Sequence, residues 1–316
     1  MKKYVYLFNE GSSDMHQLLG GKGANLAEMT NLNIPVPPGF TISTDACTYF
    51  MKYGKFPKTL KKEVLIALTI LEKKIKKKFG SYENPMLLSV RSGARTSMPG
   101  MMETVLNIGL NKKTIIGLIN QTNNNSFVYD SYRRLLTMYA DVVMEKSNDL
   151  DLNVRHKLEE ELENVKKKNN FYNDSELLEN DLVKLCKVYE NKIFKILGQK
   201  FPQNAEEQLW KSIEAVLKSW NGARAKHYRK IENIPDSWGT AVNVQCMVFG
   251  NMGNTSATGV AFTRNPATGE NIFFGEWLPN AQGEDVVAGI RTPFQITGGK
   301  NSLKILMPEI YKQLFK

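Results

Sequence analysis

Ser89-Val90-Arg91-Ser92-Gly93-Ala94-Arg95-Thr96-Ser97-Met98-Pro99-Gly100-Met101-Met102-Glu103-Thr104 is the stretch on which the fold turns. Met86 to Arg91 is a compact apolar run ending in a cation, which predicts a buried strand with an arginine at its end. Two glycines and a proline follow, so residues 92–101 predict a loop. An arginine at a strand end is rigidly held and can grip a phosphate bidentately. The backbone N–H groups of such a loop can close over the same anion. A surface loop with a structural arginine remains open as the other meaning of these residues.

Working outward, the N-terminal side offers a second glycine cluster, Gly20-Gly21-Lys22-Gly23. Residues 4–7 predict a short strand, Gly11 to Gly23 a glycine-containing loop, and Ala24 to Leu32 a short helix. A lysine in a loop that opens a helix suits an anion, through helix-end N–H groups and a point charge. The cluster is not a Walker A loop, which needs a glycine where His16 stands and a Ser or Thr where Gly23 stands. It is not a dinucleotide fingerprint either. A plain turn stays open beside the phosphate loop.

Three prolines exclude helix over Asn33 to Phe40, and Thr44 or Asp45 is expected to cap the next one. On the C-terminal side, apolar spacing is helical from 111 to about 232, in five or six helices. Breaks are expected near 123–125, 169–173 and Phe201-Pro202. The Asn- and Lys-rich patches at 122–125 and 166–170 read as compositional drift. At Ile234-Pro235-Asp236 the period changes to two, and Val242, Val244, Cys246 and Val248 alternate with Asn243, Gln245 and Met247. Two more strands are expected, at 259–263 and 271–277, joined by a turn at 265–269. Ala281 to Ala288 predicts a helix start.

Length and composition bound what this can be. The 316 residues suit about two domains, and 42% hydrophobic with 23% charged residues excludes long-range disorder. No apolar run of membrane-spanning length exists. Cys47, Cys186 and Cys246 are odd in number and far apart, so neither a disulfide framework nor a zinc knuckle is supported. A cytoplasmic protein is expected. The three histidines form no nucleophilic or metal-ligating cluster.

The net charge of +10 is mostly local. Residues 55–78 hold nine lysines against two glutamates. Apolar residues interleave with them, so a helix from about 59 to 79 with a solvated lysine face is expected. A nucleic-acid or membrane surface is the alternative, and no arginine–aromatic interleaving supports RNA.

Four motifs in order resemble the N-terminal, nucleotide-binding part of the pyruvate, phosphate dikinase family. They are Gly20 to Met29, Ser89 to Thr104, Thr255 to Pro266, and Asn280 to Gly289. The water-dependent dikinase (phosphoenolpyruvate synthase) shares the Gly-Gly-Lys and Ser-Val-Arg-Ser marks. The Ala94 to Met101 stretch resembles the phosphate-dependent enzyme instead.

The resemblance implies an α+β, ATP-grasp-like fold of two lobes with ATP between them. Residues 1–110 with 198–240 would form the first lobe, 111–197 a helical insertion, and 241–316 the start of an incomplete second lobe. It implies that Lys22 and Arg91 contact the ATP phosphates, with Thr96, Ser97, Met98, Gly100 and Met101 in the loop over them. It implies an adenine hinge at Gln245, Met247 and Val248, and secondary roles for Arg95 and Glu276. It implies Mg2+ carried with ATP, and phosphate as a further substrate. The family reaction takes ATP, phosphate and pyruvate to AMP, diphosphate and phosphoenolpyruvate, through a histidine on a swivelling domain.

The chain departs from that pattern at its end. The family's acidic metal-binding strand and Gln-x-Arg strand, its phosphohistidine motif and its pyruvate-binding barrel find no match here. The metal ligands are therefore unassigned. No net reaction is expected of this chain alone, and the full-length family is expected to form homo-oligomers. An open sheet edge near 242–248 and 271–277 is expected to make 241–316 the least stable part. A stand-alone nucleotide-binding or regulatory module is the alternative function, and a basic nucleic-acid-binding module a third.

Overall fold

Antiparallel pairing builds the largest sheet among the described residues, and its middle strand comes from far along the chain. In the computed structural model, residues 2–287 and 291–315 are described. Ala288 and Gly289, which end the expected helix and the fourth motif, lie outside the described residues. The chain divides into two compact units, Met1–Met247 and Val248–Lys316.

The first unit begins with β1 (Val5–Leu7), α1 (His16–Asn31), β2 (Gly39–Ile42), α2 (Thr44–Tyr53) and α3 (Leu60–Ile75). Then come the short β3 (Lys78–Phe79) and β4 (Pro85–Met86), then β5 (Leu88–Ala94) and β6 (Thr104–Ile108). Six α-helices follow among the described residues: α4 (Lys112–Thr122), α5 (Asn125–Tyr139), α6 (Val154–Asn169), α7 (Glu179–Leu197), α8 (Ala205–Ser219) and α9 (Ala223–Ile231). β7 (Thr240–Cys246) then returns to the sheet, whose order is β1-β2-β7-β5-β6.

β7 corrects the expected organisation. It is expected to open the second lobe at 241 and to lie at an open sheet edge. It instead lies between β2 and β5, antiparallel to both. Residues Thr240 to Val244 are buried without a break. The alternation of Val242 and Val244 therefore marked one face of a strand covered on both.

The register sorts the sheet into rows. Leu7, Phe40, Val244, Val90 and Val105 stand opposite one another, and the last four are fully buried. Each such side chain contributes about 1.5–3 kcal/mol. The adjacent row, Tyr6, Thr41, Asn243, Arg91 and Thr104, is polar on every strand and faces the other side. Helix α1 packs on β5 and β7, and so does α8.

Helix ends carry other corrections. The lysine-rich helix stops at Ile75, because Lys76 adopts φ 55°. Its apolar stripe Leu60, Val64, Leu68 and Leu71 is buried, while Leu65, Ile66 and Ile70 are exposed beside the lysines. Helix α2 starts one residue early, with Ser43 in the N-cap position. The asparagine patches terminate helices. Asn123 closes α4 at φ 48°, Asn124 accepts from the Phe127 N–H to open α5, and Asn170 closes α6 at φ 57°. Asparagine tolerates the left-handed region and caps N-termini better than most residues.

The second unit holds β8 (Ala257–Phe262), β9 (Phe274–Pro279), α10 (Gly283–Val287), β10 (Phe294–Gln295), α11 (Leu303–Leu306) and α12 (Pro308–Phe315). Its antiparallel sheet runs β10-β9-β8. Trp277, Ile296 and Leu303 form a small core, with Phe273, Phe294 and Tyr311 packed against it. No helix among the described residues is long and apolar enough to cross a membrane.

Candidate functional site

The polar row needs a cover that fits closely, and three glycines provide it. Helix α1 is not continuous: Gly20 adopts φ 67° and ψ 170°, so a new helical turn begins after it and carries Lys22. The expected loop from Gly11 to Gly23 is thus mostly helix with one break. A β-carbon on Gly20 would lie 1.7 Å from the Gly93 carbonyl oxygen. One on Gly23 would lie 2.9 Å from both Thr41 Oγ1 and Cγ2 and 3.0 Å from Asn243 Oδ1. One on Gly93 would meet Asn243 Nδ2 at 2.5 Å. These contacts seat the Lys22 turn on the end of β5, beside Arg91.

Beneath the turn, Thr41 Oγ1 donates to Asn243 Oδ1 over 2.8 Å, and both residues are 1% exposed. Asn243 Nδ2 is buried with no hydrogen-bond partner among the described residues. Asn243 stands between Thr41 and Arg91 in the register. Desolvation first, and the Arg91 guanidinium second, hold the Lys22 ammonium below the ordinary lysine range. Lys22 nevertheless keeps an exposed surface. Two cations are thereby gathered where each disfavours the other's charge, an arrangement that an anion relieves.

The loop after β5 has a local cause at each step. The Met101 N–H donates to the Met98 carbonyl at 3.1 Å. Pro99 and Gly100, the latter at φ 70°, occupy the two central positions, the signature of a type II turn. Met98 is buried, Met101 half-buried, and Thr96, Ser97 and Gly100 exposed. Arg95 stacks on Trp238, its guanidinium carbon 5.3 Å from the ring centroid.

The expected adenine hinge is split. Gln245 lies on the same sheet face as Arg91, two residues along β7, and its backbone stands opposite Gly39 and Ser89. Its side-chain Nε2 donates to the Pro37 carbonyl, and the Met247 N–H donates to the Leu87 carbonyl. Gln245 and Met247 thus already spend hydrogen bonds on the first unit. Val248 is 71% exposed and begins the second unit. Glu276 is exposed on β9, opposite Val260 and Gln295.

Lys22, Arg91, Arg95 and the 96–101 loop are therefore grouped along the second half of β5, which runs three residues past the expected end at Arg91, so that the expected loop from 92 begins only after Ala94. Thr41, Asn243, Gly93 and Trp238 belong to the same place and were missed in the sequence. The signal for Asn243 was an amide within an otherwise apolar buried strand. Among the described residues no group of three His, Cys, Asp or Glu side chains could hold a metal.

A family model described as the pyruvate phosphate dikinase AMP/ATP-binding domain matches residues 16–64 and 53–316. The chain belongs to the pyruvate, phosphate dikinase family. It is 49% identical to the pyruvate, phosphate dikinase of Clostridium symbiosum, over 99% of this chain and 35% of that protein. It is 49% identical to that of Rhizobium meliloti, over 100% of this chain and 36% of the relative. The chloroplastic pyruvate, phosphate dikinase 1 of Arabidopsis thaliana is 49% identical over 99% of this chain and 32% of its own length. The chain spans about a third of the length of these curated relatives. Dikinase membership thus rests on the whole of this chain and on one part of the relatives.

Proposed function

We propose that this part of a dikinase holds the triphosphate of ATP at the end of β5. The observation that carries the proposal is the seating of Lys22 beside Arg91 by the Gly20–Gly93 contact. In an ATP-grasp arrangement, Lys22 and Arg91 grip the phosphates and residues 96–101 cover them. Loop N–H groups and two cations are what phosphoryl transfer asks of a binding domain, since positioning and charge stabilisation dominate that chemistry. Residues 111–197 are an insertion into this lobe. The phosphoryl group then passes to a histidine on another domain, and phosphate and pyruvate are the further substrates of the whole dikinase.

The described residues do not form a protein cage for Mg2+. A magnesium ion most often enters such sites on the phosphates, with one or two carboxylates added. The protein groups assigned here act on the phosphates directly.

Titration calorimetry with ATP tests the proposal. Arg91→Ala removes a charge-assisted contact of about 1.5–3 kcal/mol, so the Kd is expected to rise about 10- to 100-fold. Unchanged affinity would remove Arg91 from the site. Replacing Lys73, Lys74, Lys76, Lys77 and Lys78 by Gln is expected to leave ATP affinity intact, and a large loss there would favour a basic-surface function.

A further inference from the structure

A cavity of about 660 Å3 lies elsewhere in the first unit, and neither Lys22, Arg91 nor Arg95 lines it. It forms where the 101–103 segment, the end of α8 and the start of α9 meet residues 142–150. Its floor is apolar: Val142, Ala215 and Ala225 are each at most 4% exposed. One wall follows from a π-helical segment, Ala140–Glu145, a distortion frequent at functional sites. The volume suits a small molecule.

The charges around the cavity are unequal. Lys146, Lys218, Arg224 and Lys226 line it against Glu103 and Asp149. Lys146 and Lys218 are satisfied by Asp141 and Glu214, each at 2.8 Å. Among the described residues Arg224 meets only Glu103, at 3.6 Å, too far for a hydrogen bond. Lys226 has no ion-pair partner among the described residues. Glu103 divides itself between Arg224 and Lys146, 3.6 Å from each. One weakly held carboxylate thus stands where two cations have unused donors.

The geometry points to a second ligand site here, for a small molecule with an apolar body and a compact oxyanion. Arg224 and Lys226 hold the oxyanion, and the floor receives the body. The oxyanion replaces the loose Glu103 contacts, and binding makes or breaks no covalent bond. A phosphoryl group and a carboxylate cluster share this chemistry. Among the described residues placed at the nucleotide site, Met101 alone also lines this cavity.

Calorimetric titration of the chain with inorganic phosphate, and separately with citrate, at low ionic strength tests this. The same titrations are run on Arg224→Glu/Lys226→Glu and on Arg91→Ala. Both reversed side chains are exposed, so the double variant is expected to keep its thermal transition. Binding of either anion at this site should weaken about tenfold or more in the double variant and persist in Arg91→Ala, which loses only what the β5 site contributes. Stronger phosphate binding assigns a phosphorylated ligand, stronger citrate binding a carboxylate one, and equal binding an oxyanion site without preference. No binding of either anion to Arg91→Ala, or equal binding in the double variant, overturns the proposal.

Discussion

β7 and β8 are neighbours in the sequence and opposites in the structure. β7 is paired on both sides and buried on both faces. β8 pairs with β9 alone among the described residues, and Gly259 through Phe262 are exposed. Both read as strands because apolar and β-branched residues recur in each. Periodicity reports that a strand forms; it does not report how many layers cover it. Asn243 shows the difference, since in β7 even the polar alternate is 1% exposed and must find a partner or a purpose.

The sharpest way to break that comparison is at the glycine contact that seats α1 on β5, the neighbour of β7. Gly20→Val would drive a side chain into the Gly93 carbonyl from a residue at φ 67°. The turn carrying Lys22 would have to leave the sheet, at an expected loss of more than about 4 kcal/mol. Urea unfolding reads this, and a native-like midpoint would mean that α1 does not rest on β5 there. Asp130→Asn is the next largest. Burial alone would raise the Asp130 pKa, but the guanidinium groups of Arg133 and Arg134 outweigh it and hold the carboxyl below its usual range. Removing the charge is expected to cost about 3 kcal/mol, the low end for a broken buried pair, because Asp174 still meets Arg133. A depressed carboxyl contributes stability above its unfolded pKa, near 4, and loses it as pH falls through the folded value. The wild-type chain should therefore weaken in acid more steeply than Asp130→Asn. Equal acid sensitivity would dismiss the pair as a source of it.

Hydrogen exchange compares the strands directly. Amides of 240–246 are expected to exchange at least about a hundredfold more slowly than those of 257–262, the gap between a core strand and an edge. This moves the expected weak region from 241–316 to the residues after 247. Thiol labelling gives a second probe, since Cys47, Cys186 and Cys246 are all buried in the first unit. Burial pushes Cys47 to about 11, Cys186 to about 12 and Cys246 to about 11, so labelling near neutral pH should report opening of the first unit only. Equal exchange in both strands would erase the distinction drawn between them.

Much of this was legible in the residues because local chemistry decided it. Pro99-Gly100 specified its turn and the heptad-like spacing of Leu60, Val64, Leu68 and Leu71 its helix, whereas Arg91, expected to end its strand, stands in the middle of β5 because Ser92, Gly93 and Ala94 still pair with β7. The motifs around Lys22 and Arg91 also gave the family. What stayed hidden was set by contacts far apart in sequence. Thr41 and Asn243 are 202 residues apart and share one hydrogen bond, and nothing local couples them. The asparagines at 123, 124 and 170 were legible in principle. Their capping role was obscured by the lysine- and asparagine-rich composition around them.

The smallest expected effect completes the comparison of the units. Gly283 opens α10, and a β-carbon there would meet no atom within 4 Å. Its φ lies outside the left-handed region, so alanine fits the backbone it already has. Alanine also narrows the unfolded ensemble. Gly283→Ala should therefore change stability by at most about 0.5 kcal/mol, and toward greater stability. Gly20 and Gly283 both sit in motifs that mark the family, yet only Gly20 is enclosed by backbone. A loss of several kcal/mol in Gly283→Ala would mean that Gly283 is enclosed as Gly20 is, and as Gly250 and Gly275 are within the second unit.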